Sequence, residues 1–95
     1  LPCLPSDKVY NWPNPAYGKT TNIRYYLGGD VTAVNIKIMD LAGELVTTLA
    51  GTTNKGLDNE VPWDISTVQS GIYIAVLELS GGCSETASIK IAVVK

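Results

Sequence analysis

Apolar and polar residues alternate along most of the chain, in short runs separated by glycine, proline and other turn-forming residues. The alternation is clearest near the C-terminus, where Ile89, Ile91 and Val93 are separated by Lys90 and Ala92. A period of two residues is typical of a β-strand with one buried face. Seven extended segments are predicted, at residues 8–12, 20–27, 31–41, 44–50, 57–63, 72–79 and 87–94.

Seven short strands joined by turns predict an all-β chain, specifically a seven-stranded antiparallel immunoglobulin-like β-sandwich. Valine, isoleucine and threonine account for 26 of the 95 residues, a composition that favours strands over helices. We expect an entry linker over residues 1–7 and the sandwich domain over residues 8–95. The longest strongly apolar run, residues 72–77, is far shorter than the ~20 residues that cross a bilayer, so no transmembrane segment is predicted.

The two cysteines are candidates for a disulfide bond. If every connection reverses the chain direction, the turn between the sixth and seventh strands lies at the same end of the sandwich as the N-terminus. Cys3 precedes the first strand and Cys83 lies in that turn. In an extracellular context we therefore expect the two to be bonded, the alternative being two unrelated free thiols.

Composition excludes several kinds of chemistry. The chain has no histidine, so it cannot form a Ser/His or Cys/His catalytic pair or an imidazole metal site. Two cysteines cannot build a four-thiolate zinc centre. Seven Lys and Arg against nine Asp and Glu give a net charge of −2, without the basic surface that nucleic acid requires. We expect a non-enzymatic protein with no cofactor and no metal.

The remaining candidate sites have simpler structural interpretations. The carboxylate pairs Asp58/Glu60 and Asp58/Asp64 are interpreted as solvated charges on loops. Residues 54–60 offer oxygen ligands, but in the wrong register for a calcium loop and with a lysine among them. One further hypothesis is a carbohydrate-binding platform, formed by Trp12, Tyr17 and Tyr26.

Several motifs, in order along the chain, resemble the C-terminal sorting domains of the type IX secretion system. The similarity extends over residues 9–95. The matching segments are VYNWPNP (9–15), TTNIRYYL (20–27), VNIKIMDLAGELV (34–46), WD (63–64), SGIY (70–73) and KIAVVK (90–95). The sequence departs from the family pattern at Met39, where Tyr or Phe is usual, at Ala16, where Phe is usual, and in having two cysteines. The same pattern is similar to the immunoglobulin-like domain of flagellar hook-capping proteins.

The resemblance implies a secretion address that is recognised by outer-membrane machinery, and a location outside the cell or on its surface, reached through the periplasm. It also implies which residues matter. The residues of the motif that we expect to be structural are Pro13, Asn14, Pro15, Asp40, Gly43, Trp63, Asp64, Gly71 and Tyr73. Tyr73 follows a glycine at the start of a strand, as in the tyrosine corner of immunoglobulin-like sandwiches. We expect a receptor to bind residues 88–95, with Lys90, Ile91, Val93, Val94 and Lys95 as the recognition candidates.

An alternative function is a structural or adhesive immunoglobulin-like module that stays in an extracellular assembly. A sorting domain is often cleaved from its cargo, whereas a structural module persists in the mature product. The chain begins Leu-Pro-Cys, without an initiator methionine or an apolar leader. We therefore expect it to be a processed product or a segment of a longer polypeptide.

Overall fold

The computed structural model describes residues 3–5 and 8–95, and these form two packed β-sheets. The strands are β1 (Val9–Trp12), β2 (Thr20–Tyr26), β3 (Ala33–Asp40), β4 (Leu45–Ala50), β5 (Asp58–Asp64), β6 (Gly71–Ser80) and β7 (Thr86–Val93). Four of the residues assigned to the expected linker, Leu1, Pro2, Ser6 and Asp7, lie outside the described part. The boundary between linker and domain stays a prediction.

The strands form a three-stranded sheet in the order β1-β2-β5 and a four-stranded sheet in the order β4-β3-β6-β7. Every strand pairing within the two sheets is antiparallel. The seven-stranded antiparallel sandwich expected from the spacing of the strands is confirmed. No α-helix occurs among the described residues.

The core lies between the two sheets, where the alternating apolar residues meet. The fully buried side chains include those of Ile23, Ile36, Ile38, Leu77 and Ile91. Burying one such aliphatic side chain contributes about 1.5–3 kcal/mol. The alternation in the sequence is therefore the direct cause of the sandwich, because it gives each strand one face that must leave water.

One irregularity was not evident from the sequence. The register between β3 and β4 shifts between Ile38 and Met39, so that Ile38 pairs with Thr47 but Met39 pairs with Leu45. Val46 is the extra residue of a β-bulge. The bulge gives Leu45 the same face as Met39, on the outside of the four-stranded sheet, where 59% of Leu45 is exposed.

Candidate recognition site at the C-terminal strand

β7 forms one edge of the four-stranded sheet. Its alternation divides the recognition candidates into two groups. Ile91 and Val93 point into the core, at 0% and 2% exposure. Lys90 is exposed, and 44% of Val94 is exposed. In the folded domain the buried pair holds the strand in place, and only the exposed residues present side chains to a partner.

The segment that follows β1 covers the end of β7. Two cis peptide bonds, Trp12–Pro13 and Asn14–Pro15, lie in this segment. The N–H of Ala16 donates to the carbonyl of Ala92 at 2.7 Å, and the N–H of Val94 donates to the carbonyl of Ala16 at 3.0 Å. The side-chain oxygen of Asn14 accepts from the N–H of Ala92 at 3.3 Å. The first motif of the sequence therefore fixes the C-terminal end of β7.

Lys95 is tied to two other segments of the sandwich. Its N–H donates to Oγ of Ser70 at 2.8 Å. Its Nζ donates to the carbonyls of Ile65 and Gly18. The terminal lysine is thus held against the domain, while Lys90 projects from the open part of the strand.

Asp40 and Gly43 form the turn between β3 and β4. Oδ1 of Asp40 accepts from the N–H groups of Ala42 and Glu44, each at 2.9 Å. Gly43 has a φ of 87°, a conformation in which glycine avoids the strain that a Cβ would create. These two positions shape the turn between β3 and β4.

The WD and SGIY motifs meet at one end of the sandwich. The rings of Trp63 and Tyr73 pack edge to face, with centroids 5.6 Å apart. The hydroxyl of Tyr73 donates to the carbonyl of Gln69 at 2.7 Å, which is the hydrogen bond of a tyrosine corner. Gly71 has no neighbour that would exclude a side chain, so nothing in the structure explains glycine there.

The carboxylate of Asp64 caps the turn that follows β5. Its Oδ1 accepts from the N–H of Ser66 at 2.9 Å. Hydrogen bonds from the backbone and the hydroxyl of Ser66 lower the pKa of Asp64, with smaller contributions from the charges of Lys95 and Lys19. Asp64 is therefore an ionised turn residue at neutral pH.

At the opposite end of the domain, Cys3 and Cys83 form a disulfide bond that spans 80 residues of sequence. Glu85 adds to this clasp, because its Oε2 accepts from the N–H of Cys3 at 2.6 Å. The carbonyl of Cys3 accepts from the N–H of Gly28 at 2.8 Å, and Leu4 is buried. The parity of the strands indicated the disulfide, but Glu85 carried no sequence signal.

Glu85 also brings a third possible ligand within 4.8 Å of the two sulfur atoms. The sulfurs are bonded to each other, so they offer no thiolate to a metal ion. The three residues serve here as a structural clasp.

The structure separates the other candidates from one another. Asp58 and Asp64 stand at opposite ends of β5, about 20 Å apart at 3.3 Å per residue. Glu60 instead pairs with Nε of Arg24 at 2.8 Å on the exposed face of the three-stranded sheet. Hydrogen bonds with Tyr10 and then with Glu60 raise the pKa of Arg24. None of these carboxylates is placed to share a proton.

The predicted loop of oxygen ligands is closed by Asn59, a buried residue at 2% exposure. Its Oδ1 accepts from Oγ1 of Thr52 at 2.7 Å and from the N–H of Asn54 at 3.0 Å. Its Nδ2 donates to the carbonyls of Asn54 and Leu57 at 3.0 and 3.1 Å. The amide is fully occupied in holding the loop, and it has no oxygen to offer to a cation.

The three aromatic residues of the carbohydrate hypothesis do not form one platform. Trp12 pairs with Asn22 at one end of β2, while Tyr26 stands at the other end, beneath Nζ of Lys8 at 5.5 Å from the ring centroid. Tyr17 lies in the loop before β2. Trp12 and Tyr17 are 68% and 59% exposed, and Tyr26 stands at the other end of β2 from Trp12.

Among the described residues there is no helix with the length and apolar character needed to cross a membrane.

Comparison with known proteins gives one family and two similar structures. The model of the family described as the secretion system C-terminal sorting domain matches residues 9–93. No curated protein matches the chain. A crystal structure of dimeric latent PorU from Porphyromonas gingivalis is similar over 92% of this chain, with 25% identity and a TM-score of 0.69. The chain spans only 9% of that protein.

The second structure is CopC from Methylosinus trichosporium OB3b, which is 17% identical, with 90% of each chain covered and a TM-score of 0.50. At this identity the likeness concerns the fold alone. Neither match bears on the resemblance to hook-capping domains, which stays a prediction.

Proposed function

Because the chain belongs to the family of secretion system C-terminal sorting domains, we propose that its C-terminal strand is the surface bound by the outer-membrane part of the type IX secretion machinery. The membership itself establishes the broader role. The chain is a type IX sorting module of a larger exported protein, it interacts with the secretion machinery, and its location is secreted or at the cell surface.

The observation that supports the proposal is the placement of β7. It is an edge strand whose end is held by Asn14 of the VYNWPNP motif and by Ala16, the residue that follows this motif. An edge strand presents its backbone and one row of side chains to a partner. The N–H and carbonyl of Ala92 bond to Asn14 and Ala16, on the side of β7 that faces away from β6. Backbone groups alternate in direction along a strand, so those of Thr86, Ser88 and Lys90 face the same open side.

The recognition candidates then have distinct roles. Lys90 and Val94 supply exposed side chains, and Lys95 supplies a charge next to the end of the strand. Ile91 and Val93 act from the core by keeping β7 in register. A deletion of residues 91–95 would remove both buried side chains, so it would test folding as much as recognition.

The sorting-domain family is not catalytic, and we propose that this chain has no enzymatic activity. The separated carboxylates and the absence of histidine from the sequence support this proposal.

The experiment uses a reporter protein that carries the chain at its C-terminus, expressed in a bacterium with a type IX system. The variant Lys90→Glu reverses the charge of the exposed lysine on the open part of the strand without removing a core side chain or a contact of Lys95. We expect the fraction of reporter outside the cell to fall at least about tenfold, since a reversed charge opposes a complementary partner. The fraction is measured by quantitative immunoblotting of cells and medium.

The matched control is Lys55→Glu, which makes the same change in an exposed loop at the cost of one exposed ion pair with Asp30 at 3.5 Å. Export should be unchanged in the control. If both proteins fold and are exported like the parent, the C-terminal strand is not the recognition surface.

Intact mass of the exported reporter separates this role from the alternative of a retained structural module. Release of a fragment that corresponds to the domain would be the behaviour of a cleaved address. A structural module would remain covalently attached.

A further inference from the structure

The two sheets of the sandwich leave four edge strands, and the chain protects three of them. A free edge presents unpaired N–H and carbonyl groups to any other strand, and proteins block such edges with charges, prolines or covering segments. The four edges are β1 and β5 in the smaller sheet and β4 and β7 in the larger one.

The edge of β5 is the most strongly blocked. The N–H of Ile65 donates to the carbonyl of Lys19, which fixes the alternation of the ladder between β2 and β5. It follows that the backbone groups of every second residue of β5 face the open side. These residues are Asp58, Glu60, Pro62 and Asp64. Three carboxylates and a proline without an N–H exclude a neighbouring strand.

β7 and β1 are protected by other means. The C-terminal end of β7 is covered by Asn14 and Ala16. Its open part carries Lys90, a charge that opposes pairing with a second copy of the strand but not with a partner of complementary charge. β1 is four residues long and is followed at once by Pro13.

Among the described residues no segment covers β4, and its one irregularity, the bulge at Val46, precedes the regular stretch of residues 47–50. Its sequence, LVTTLA, contains no charge and no proline. The N–H of Gly51 donates to the carbonyl of Val34, so the bonded pairs with β3 are those of Thr47 and Leu49. The backbone groups of Thr48 and Ala50 therefore face outward and are available to another strand.

A cleft of about 280 Å³ with a mixed polar and apolar lining runs beside this edge. It is lined by Val46, Thr47, Leu49, Trp63, Asp64, Thr67 and Val68. Val46 is 40% exposed although it is a large aliphatic residue. An unprotected edge next to a cleft that can hold side chains is the arrangement that accepts an added strand.

We propose that two copies of this chain pair through β4, antiparallel and about a two-fold axis at Thr48. Because the backbone groups of Thr48 point outward, Thr48 of each copy exchanges both hydrogen bonds with Thr48 of the other. Thr47 of one copy then lies opposite Leu49 of the second on the inner face, and the two four-stranded sheets join into one of eight strands. The clefts of the two copies meet across the axis.

A second copy fits this edge better than a charged partner does. The strand has no charge that would select an oppositely charged segment, and none that would repel its own copy. Threonine opposite threonine is a favourable cross-strand pair. Pairing about Thr48 places the same β4 residues on both sides of the axis, as a two-fold interface requires. The inference depends on the sheet edges alone and is independent of the proposed secretion surface.

The test is the concentration dependence of mass for the 95-residue chain, measured by sedimentation equilibrium. We expect a monomer–dimer equilibrium. The Thr48→Lys variant should raise the dimer dissociation constant at least about fivefold, because like charges then stand directly opposite each other. Thr48→Glu should weaken the dimer in the same way. An equimolar mixture of the two variants should dimerise again, since each mixed pair brings opposite charges together.

The matched control is Thr86→Lys, which places the same charge at an exposed, outward-bonding position on the edge of β7. It should leave the dissociation constant unchanged. Circular dichroism melting of every variant verifies that it is folded. A chain that sediments as a monomer at all concentrations would overturn the proposal, as would a dimer weakened equally at residues 48 and 86. Either result would leave β4 open to an extended segment of another protein.

Discussion

At the scale of single residues, much of the fold is held by polar side chains that close loops. Asn59 closes the loop before β5, Asp40 closes the turn after β3, and Asp64 closes the turn after β5. Tyr25 belongs with them, because its buried hydroxyl donates to the carbonyl of Thr52 at 2.7 Å. Burial raises the pKa of Tyr25, which keeps the hydroxyl protonated and able to donate.

Asn59 gives the first prediction. The Asn59→Ala variant leaves the polar groups of Thr52, Asn54 and Leu57 without their partner, and should lower the free energy of unfolding by about 2–3 kcal/mol. Asn35→Ala is the control, since Asn35 is half-buried on β3 and its side chain takes no part in closing a loop. Urea denaturation of both variants measures the difference. Equal losses of unfolding free energy in the two variants would mean that the hydrogen bonds of the Asn59 side chain contribute nothing beyond the effect of truncating a side chain.

Asp64 gives a prediction about pH. Its pKa is lowered by hydrogen bonds that exist only in the folded state, so the ionised form stabilises the fold above the unfolded value of 3.8. That contribution is lost as the pH falls through the lower folded pKa. When the pH is lowered from 5, the melting temperature of the Asp64→Asn variant should therefore fall less than that of the parent. Thermal melts at a series of pH values measure the difference. Parallel curves for the two proteins would contradict this assignment.

At the scale of elements, the contact between the loop after β1 and the end of β7 joins the two sheets. Ala16 is fully buried, and both its N–H and its carbonyl form hydrogen bonds with the end of β7. Its small side chain suits this position, because the parallel bridge with Val93 leaves little room.

Enlarging this residue should open the bridge. The Ala16→Leu variant should lower the free energy of unfolding by about 1–3 kcal/mol through overpacking. It should also accelerate hydrogen exchange at the amide of Val94, whose acceptor is the carbonyl of Ala16. Ala16→Gly keeps the backbone bridge and is the control, expected to retain slow exchange. Exchange by mass spectrometry that is unchanged in Ala16→Leu would show that the bridge tolerates the larger side chain.

At the scale of the whole molecule, the disulfide and the C-terminal bridge act at opposite ends. The clasp formed by Cys3, Cys83 and Glu85 holds the N-terminal segment, and Ala16 holds the C-terminal strand. Both ends of the described chain are thereby attached to the sandwich.

The disulfide closes a loop of 80 residues, so its removal should matter to the whole fold. We expect the Cys3→Ser/Cys83→Ser variant to lose about 2–5 kcal/mol of unfolding free energy, since the cross-link restricts the unfolded chain. Urea denaturation under oxidising conditions compares it with the parent, and the same comparison under reducing conditions should show no difference. If the variant is as stable as the oxidised parent, the disulfide does not stabilise the fold, and the contacts of Glu85 and Leu4 are sufficient to hold the N-terminal segment.

The sequence by itself determined the features that depend on near neighbours in the chain. The alternation of residues such as Ile89, Ile91 and Val93 set the number of strands and their buried faces, because burial on a strand repeats every two residues. Gly43 marked the turn between the third and fourth strands. The parity of the strands placed Cys3 and Cys83 at the same end of the sandwich, since it requires only that the chain reverse at each turn. Their bonding distance depended on the packed structure.

Only the tertiary structure decided which strands are edges and where their hydrogen bonds point. These features include the exposure of Lys90, the cover that Ala16 gives to β7, the partners of Glu85 and the unprotected edge of β4. Each of them depends on contacts, or on the lack of contacts, between residues that are distant in sequence. A local pattern cannot identify such partners, because alternation is the same for a strand in the middle of a sheet and for one at its edge. The order of strands in the sheets decides where a partner can bind, and it is set by the packing of the whole core.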